Sequence, residues 1–478
     1  MSRVFFLTSS GSGAGLTTVA LGMVRALDQQ GFRTGFCKPV AQLHAGDQGL
    51  ERSTQLVTHI ANIKAPVPIS LRRAESLLGS GKLGLLMEEV VALYRQIARH
   101  KDVVIIEGLV ADGHAGYATR LNAAIAQALD AEVILIAQPE TDMDEYIGIA
   151  SGAFSDANDS TLTGIIINKV TNDSEEKVTP SEPISSNKSD KESPQQICPY
   201  QKLADKHALH LIACIPRCDA LMAPRTSDIV QHIGAEILHP GELQRRVLNI
   251  SLCARTLANI HSIYKPHSLL IIPGDRDDIF VAACMSAMNG VPLAGIILTG
   301  GLKPSDNVMA LCSQAMQLGV PILTVKSNSY QTATDIAKIP AEIGIDDFDL
   351  IDQAMEHVSA CLDTDWLKQR CARDRKPRLS PAAFRYQLIQ LATQRKRVIV
   401  LPEGEEPRTI MAAHQCQQRG IAQCILLGDS AKIHQFASTQ GISLDESINI
   451  IDPSLIRDRY IEPMVALRQH KGLTRQVA

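Results

Sequence analysis

The sequence predicts an α/β protein with a doubly wound parallel sheet first, a second smaller α/β domain, and the start of a third α/β domain. Two observations lead to this fold class. Short continuous apolar runs alternate with segments of helical spacing, as is typical of strands buried on both faces of a parallel sheet. Turns rich in glycine, proline and acidic residues follow several of these runs. We predict domains at residues 1–225, 226–362 and 396–478, with a connector at 363–395.

Composition narrows the class of function. The 478 residues carry a formal net charge of −4, and only 4% are aromatic. A nucleic-acid-binding protein usually has a basic surplus and aromatic platforms for bases, so we expect no nucleic-acid partner. No apolar run reaches the roughly 18 residues that a membrane span requires. The eleven cysteines include no CxxC pair, which predicts reduced thiols and a cytoplasmic location without a membrane partner.

The first strand and helix enclose a glycine-rich turn of the kind that binds phosphate. An apolar run, Val4 to Thr8, precedes glycines 11, 13 and 15, and helical spacing begins at Leu16. Such turns direct backbone N–H groups toward an anion at a helix N-terminus. Leu16, however, stands where the phosphate-binding loop pattern has lysine, and Ser10 replaces the first glycine. We therefore predict a P-loop-like turn that binds an anion or nucleotide through its amides but lacks the charge for phosphoryl transfer.

Further strands of the first domain end in charged residues. We predict strands at 36–41, 103–107, 133–137, 164–168 and 210–215. Lys38 follows the second strand and Glu107 ends the third, although a surface lysine beside a turn and a helix-capping acid are the alternatives. Residues 172–196 are polar and rich in serine and charge, which predicts a disordered insertion. The candidate ligand-binding residues are Gly11, Gly13, Gly15, Thr17, Thr18, Lys38 and Glu107.

The two later units also carry motifs at predicted strand ends, where open α/β sheets bind ligands. Strands at 269–272, 295–298 and 322–325 are followed by turns that contain Asp275, Arg276 and Asp277, and Gly300 and Gly301. The acidic residues have helix capping as an alternative role. In the third unit a strand that begins at Arg397 runs into a turn with Glu403, and Arg408 follows it. About eighty residues are too few for a complete doubly wound domain of typical size.

The order of these motifs resembles two families. Cys37-Lys38-Pro39-Val40, Glu107-Gly108 and the run from Gly164 to Lys169 are, in this order, similar to the dethiobiotin-synthetase-like branch of P-loop proteins, where the lysine and the strand-end acid flank a Mg–nucleotide and its substrate. The whole chain resembles the long bacterial phosphate acetyltransferases. Asp275 to Ile279 and Leu298 to Gly301 look like the divergent DRTGG signature of that family's middle domain. Pro402-Glu403-Gly404 resembles the opening of its acetyltransferase domain.

The second resemblance implies acetyl transfer between coenzyme A and inorganic phosphate, with acetyl-CoA, phosphate and acetyl phosphate as small-molecule partners. It implies no metal and no cofactor other than coenzyme A as a substrate, regulatory N-terminal domains with a nucleotide effector, and a homo-oligomer. The family's catalytic residues lie later in the domain, so we assign none here. Glu403 and Arg408 are cleft-edge candidates, with a structural role in the turn as the alternative. We expect a truncated catalytic domain and no activity of the chain alone, and a separate chain with the catalytic half would restore that activity.

Two other functions remain open from the sequence. In the first, the chain is a non-catalytic module that serves in regulation or assembly. It senses a nucleotide or metabolite, which binds at the lysine-free loop. In the second it is an ATP-dependent synthetase of the dethiobiotin type, which Leu16 disfavours because the loop then lacks the charge that steadies the transferred phosphoryl group.

Overall fold

The computed structural model describes residues 2–42, 51–110, 117–139, 142–156, 159–171, 200–260, 263–339, 343–373, 378–395, 397–444 and 448–478. The predicted disordered insertion at 172–196 lies outside these ranges. The described residues of 1–76, 93–127 and 131–376 form one compact unit, and those of 77–92, 128–130 and 377–478 form a second.

The first sheet is parallel and six-stranded, in the order β2-β3-β1-β4-β7-β8. Every residue of β3 and β4 is buried, as the continuous apolar runs predict. A two-stranded antiparallel hairpin, β5 with β6, precedes β7. The strands are β1 (Arg3–Ser9), β2 (Thr34–Cys37), β3 (Val103–Glu107), β4 (Glu132–Ala137), β5 (Ser155–Asp156), β6 (Asp159–Ser160), β7 (Leu162–Val170) and β8 (His210–Pro216).

Helices connect these strands, and the first of them is the most buried. Helix α1 (Leu16–Gln29) begins directly after the glycine turn and buries one continuous side against the sheet. The other helices of this stretch are α2 (Arg52–Ile60), α3 (Leu71–Gly79), α4 (Leu83–Ala98), α5 (Ala118–Ala128), α6 (Met143–Ala153), α7 (Gln201–Lys206) and α8 (Asp219–Met222). The alternation of strand and crossover helix confirms the predicted doubly wound class.

The second sheet has five strands in the order β10-β11-β12-β13-β9, and only β9 is antiparallel to its neighbour. The strands are β9 (Glu236–His239), β10 (Asn249–Leu252), β11 (Ser268–Pro273), β12 (Gly295–Thr299) and β13 (Ile322–Thr324). The sequence did not predict β9 and β10, because these short edge strands are half exposed and lack a continuous apolar run. Helices α9 (Thr226–Ile233), α10 (Asp277–Met288), α11 (Asp306–Leu311), α12 (Ser313–Gln317) and α13 (Ser329–Ala337) accompany them.

Two helices that follow the second sheet in the sequence pack into the first core. They are α14 (Phe348–Cys361) and α15 (Thr364–Ala372), and their apolar side chains join those of β1, β8 and α1. Trp366, the one tryptophan, has its ring 5.0 Å from that of His210, stacked in parallel. By sequence these helices lie in the predicted 226–362 domain and the 363–395 connector, and their apolar side chains pack with the first sheet. An amphipathic pattern shows that a helix buries one face but not which sheet it buries that face against.

Helices α1 and α14 approach each other most closely at Gly22. A Cβ built on this glycine would lie 2.3 Å from Cγ1 of Val358, which is buried. We predict that Gly22→Leu lowers the free energy of unfolding by about 1–3 kcal/mol, because the added side chain overpacks this contact. Urea unfolding followed by Trp366 fluorescence measures it. Gly148→Ala, on α6, is the matched control and should not destabilise, because a Cβ at that position would have nothing within 4 Å; equal midpoints for both variants would contradict the prediction.

The third sheet is small and parallel, in the order β14-β15-β16. Its strands are β14 (Val398–Leu401), β15 (Gln423–Leu427) and β16 (Asn449–Ile451). One face packs on α17 and α18 around Ile410, Leu426 and Ile433, while Val398 and Val400 of β14 are about half exposed. The helices of this unit are α16 (Pro381–Thr393), α17 (Pro407–Gln418), α18 (Ser430–Thr439), α19 (Pro453–Ile456) and α20 (Asp458–Arg468).

The cysteines depart from the prediction at one position. Cys214 in β8 is disulfide-bonded, so the expectation that every thiol is reduced is wrong at this position. Across the described residues, no helix is both long enough and apolar enough to cross a membrane.

Candidate functional site

The glycine turn between β1 and α1 has the backbone geometry of a phosphate-binding loop. Gly13 and Gly15 adopt the left-handed conformation, with φ of 82° and 83°, which other residues enter at a cost. Gly15 is the N-cap of α1 and makes no side-chain capping bond, so the helix N-terminus faces the turn. Leu16, in the lysine position of the motif, is 4% exposed and packs in the core. The predicted turn shape is present, and the side chain at position 16 carries no charge into it.

Thr17, Lys38 and Glu107 meet beneath this turn. Glu107 Oε1 lies 2.7 Å from Lys38 Nζ and accepts a hydrogen bond of 3.1 Å from Thr17 Oγ1. The side chains of Lys38 and Glu107 are 2% and 1% exposed. Lys38 is thus a buried ion-pair partner, and the alternative of a surface lysine does not apply to it. Glu107 Oε2 is also buried and has no hydrogen-bond partner among the described residues.

Two further residues complete this buried cluster, and the sequence analysis missed both. Ser53 Oγ donates to Glu107 Oε1 at 2.8 Å. Glu51 Oε1 lies 3.4 Å from Lys38 Nζ, and its carboxylate caps α2 through the backbone N–H groups of Ser53 and Thr54. The signal available in the sequence was an acidic N-cap before Ser53-Thr54. That pattern indicates a helix start and carries no information about the lysine on another strand.

Burial and charge act in opposite directions on the ammonium of Lys38. Burial alone lowers the pKa of Lys38, but the carboxylates of Glu107 and Glu51 outweigh it and hold the pKa above its ordinary value. Lys38 is therefore charged at neutral pH. The cluster is a fixed set of one ammonium, two carboxylates and two hydroxyls under the loop.

The strand β7 holds the loop from its other side. Asn168 Nδ2 donates to Ala14 O at 2.8 Å, and Lys169 Nζ donates to Gly13 O at 2.7 Å. A Cβ on Gly15 would lie 2.4 Å from Asn168 Nδ2, so only glycine fits there. Gly11 lies in the same turn without a positive φ, and Thr18 lies in the first turn of α1; no described side-chain bond ties either to the cluster.

The turns of the second sheet meet at the carboxyl ends of β11 and β12. Gly274 N–H donates to Thr299 O at 3.0 Å, and Gly300 and Gly301 adopt φ of 84° and 69°. Arg276 forms a two-pronged ion pair with Asp278, both contacts at 2.8 Å, while Asp275 and Asp277 flank the start of α10. The N–H groups of Gly300 and Gly301 donate to Ser327 O and Val325 O, at 2.9 and 2.8 Å, so the turn after β12 is bonded to the segment that follows β13.

A cleft of about 550 Å³ lies at the carboxyl ends of β14, β15 and β16. Its charged lining is wholly acidic: Glu403, Glu405, Glu406, Asp429 and Asp452. Glu406 caps α17 through Thr409 N–H at 3.0 Å. The guanidinium of Arg408 is 93% exposed and pairs with Glu406 at 3.0 Å, and Arg408 is not among the residues that line the cleft. The motif therefore places Glu403 in the cleft and leaves Arg408 on the surface. In the described part of the chain, no three His, Cys, Asp or Glu side chains group to hold a metal ion.

Family models match three stretches of the chain. A model described as an AAA domain matches residues 3–225, one described as a DRTGG domain matches 228–339, and one described as phosphate acetyl/butaryl transferase matches 383–478. The third match bears on the predicted truncation: the transferase model is found in this chain, and the expectation of a truncated domain has no support from it.

Curated relatives match the chain from end to end. Phosphate acetyltransferase of Pseudomonas aeruginosa is 44% identical over 100% of this chain and 67% of its own length. The Nitrosomonas europaea and Escherichia coli enzymes of the same name are 39% and 36% identical, again over 100% of this chain and 67% and 68% of their own lengths. The chain thus spans about two thirds of the length of these relatives.

Solved structures match parts of the chain. The cell division protein MinD of Aquifex aeolicus aligns with 46% of this chain and 84% of its own, at 13% identity and a TM-score of 0.27. The CBS and DRTGG domains of a Clostridium perfringens pyrophosphatase, solved with diadenosine tetraphosphate, align with 26% of this chain and 50% of their own, at 18% identity and a TM-score of 0.22. The sequence relatives are the stronger comparison.

Proposed function

Because this chain belongs to the phosphate acetyltransferase family, we propose that it takes part in the transfer of an acetyl group between coenzyme A and inorganic phosphate. The observation that carries the proposal is the cleft at the carboxyl ends of β14 to β16, which contains Glu403 of the family-like Pro402-Glu403-Gly404 motif. Ligands of parallel α/β sheets bind at this edge. The matches of the transferase model and of the relatives support the same reaction.

The charges of the cleft suit one substrate better than the other. Acetyl transfer requires a base for the coenzyme A thiol and cations for the phosphate. The carboxylates of Glu403, Asp429 and Asp452 can accept a proton, but they repel a phosphate anion. Arg408 is turned to solvent and paired with Glu406. We therefore propose that the phosphate-binding cations come from a polypeptide other than this chain, and that this chain alone does not turn over substrate.

The purified chain, mixed with acetyl phosphate and coenzyme A, is expected to form no acetyl-CoA above a protein-free blank. Adding a polypeptide equivalent to the unmatched third of the Pseudomonas aeruginosa relative is expected to produce turnover. In that mixture Glu403→Gln should reduce the rate at least about tenfold, because a cleft carboxylate is lost. Glu462→Gln, outside the cleft, is the control. Robust turnover by the chain alone would contradict the proposed source of the cations while leaving the reaction intact.

A second function is favoured by a different observation, the uncharged residue at position 16 in an otherwise intact loop. We propose that the loop binds a small phosphate-bearing molecule without hydrolysing it, and so serves as a regulatory sensor. Titration calorimetry with ATP, ADP and NADH is the test, beside an ATPase assay. We expect binding of at least one ligand and no hydrolysis of ATP, since the loop lysine that neutralises charge in phosphoryl transfer is missing. Steady ATP hydrolysis would favour the ATP-dependent synthetase instead.

A further inference from the structure

The loop's missing cation has a candidate substitute on another strand. Lys169, near the end of β7, extends its ammonium to Gly13 O at 2.7 Å, within the turn that should face a phosphate. An ammonium has three donors, so two remain for another acceptor. Gly13 is also one of the two glycines whose left-handed backbone shapes the loop.

The backbone of Lys169 is strained. Its φ is +62°, a conformation that costs most side chains free energy and that glycine or asparagine enters more readily. Strained residues of this kind concentrate at binding sites. The adjacent Asn168 side chain accepts from Lys169 N–H at 2.9 Å and donates to Ala14 O. The strained conformation therefore places two consecutive side chains on the loop.

The surroundings of Lys169 leave its charge without a described counter-ion. Among the described residues its ammonium bonds a carbonyl oxygen, and no carboxylate is bonded to it. Burial and the like charge of Arg217 lower the pKa of Lys169; Arg217 itself is paired with Asp219. A half-buried cation beside a second cation is favoured by a bound anion.

Polar groups at the start of the loop also lack partners. The hydroxyls of Ser9 and Ser10 are buried, and within the described residues neither has a hydrogen-bond partner. Ser9 is 5% exposed. Buried polar groups in folded proteins are nearly always bonded to protein, water or ligand. Beneath the loop, Lys38 pairs with Glu107, and the N-terminus of α2 binds the carboxylate of Glu51.

We propose that Lys169 takes the place of the missing loop lysine and, with the N-terminus of α1 and the hydroxyls of Ser9 and Ser10, binds the phosphate group of a small molecule. This inference rests on the proposed sensing function and names the residue that supplies the positive charge for phosphate binding. The ligand class is a phosphate ester or anhydride of a small molecule. A cation supplied from a neighbouring strand holds the phosphate as a point charge, as a loop lysine does.

The test is calorimetric titration of the whole chain with inorganic phosphate, pyrophosphate, ADP and ATP. Lys169→Met is expected to weaken binding about ten- to a hundredfold, because a charge-assisted hydrogen bond to phosphate is lost. Lys169→Arg should retain most of the affinity. Lys64→Met, an exposed lysine elsewhere, should bind as the unmodified chain does. Unchanged Trp366 fluorescence verifies that each variant is folded.

The outcomes distinguish the role of Lys169 from the sensing function on which that role rests. If the unmodified chain binds and Lys169→Met binds equally well, the role of Lys169 is overturned and the sensing function stands. If the folded unmodified chain binds none of the four anions, the role of Lys169 is overturned, and the sensing function is overturned as well if NADH also fails to bind. Binding of inorganic phosphate alone would identify the free anion as the ligand, and preference for ADP or ATP would identify a nucleotide.

Discussion

The Lys38→Met variant is expected to lose about 3–5 kcal/mol of unfolding free energy, because it leaves the buried carboxylates of Glu107 and Glu51 without their counter-charge. Removal of one partner from a buried pair is costlier than the pair is worth, since the remaining charge stays desolvated. Methionine matches the lysine stem in length and adds no new charge. Thr17 and Ser53 would still donate to Glu107, which places the expected loss within that range rather than above it.

The urea midpoint of Trp366 fluorescence measures this loss. Lys265→Met, at an exposed position, is the matched control and should stay within about 0.5 kcal/mol of the unmodified chain. Lys38→Met combined with Glu107→Gln should recover part of the loss, because one uncompensated charge is removed with it. A loss below about 1 kcal/mol for Lys38→Met would contradict a stabilising role of this buried ion pair.

The same cluster sets a pH dependence. The pKa of Lys38 is raised above its ordinary value of 10.5, so the folded chain holds this proton more tightly than the unfolded chain does. The stabilisation is therefore fully present below pH 10.5 and is lost as the pH rises through the folded-state pKa. Unfolding midpoints measured from neutral to strongly alkaline pH should fall for the unmodified chain by more than for Lys38→Met. Parallel curves would contradict the raised pKa.

The second large effect is expected for Arg225→Met, with a loss of about 3 kcal/mol of unfolding free energy. The Arg225 side chain joins three segments that are distant in sequence. It bonds Asp228 at 2.7 Å, Asp346 at 2.9 and 3.0 Å, and Gln244 at 3.3 Å. Only 10% of the Arg225 side chain is exposed, so several hydrogen bonds are lost from a shielded position.

The carboxylates of this network provide a second readout. Hydrogen bonding to Arg225 holds the pKa of Asp346 below its ordinary value, so its share of stability is present above that value and is lost as the pH falls. Because Asp346 is 73% exposed, this share is small. Arg225→Met should therefore flatten the acid side of the stability profile slightly while lowering the whole profile. Arg255→Met, at an exposed residue, is the control; an equal midpoint for the two variants would sink the prediction.

The sequence predicted those parts of the molecule whose signal is local. The sequence identified β3 and β4 because strands buried on both faces are continuous runs of apolar residues. It identified the loop because a left-handed backbone favours glycine. β9 and β10 could not, since an exposed edge strand needs no apolar run. Lys38 and Glu107 were candidates from their strand ends, but Glu51 and Lys169 were not, because their roles depend on contacts between residues far apart in sequence. The docking of α14 was missed for the same reason.

The return of α14 and α15 to the first core has a consequence for how the chain is made. During synthesis the first sheet emerges long before residues 348–372. Part of the apolar surface of α1 therefore stays exposed while the more than one hundred residues around the second sheet are synthesised. Contacts of such sequence separation close slowly and leave an early intermediate open to aggregation. A fragment ending at residue 225 would lack Ile351, Met355 and Trp366 from its core. In the order of translation, the core around the first sheet is therefore completed only after the second sheet has been made.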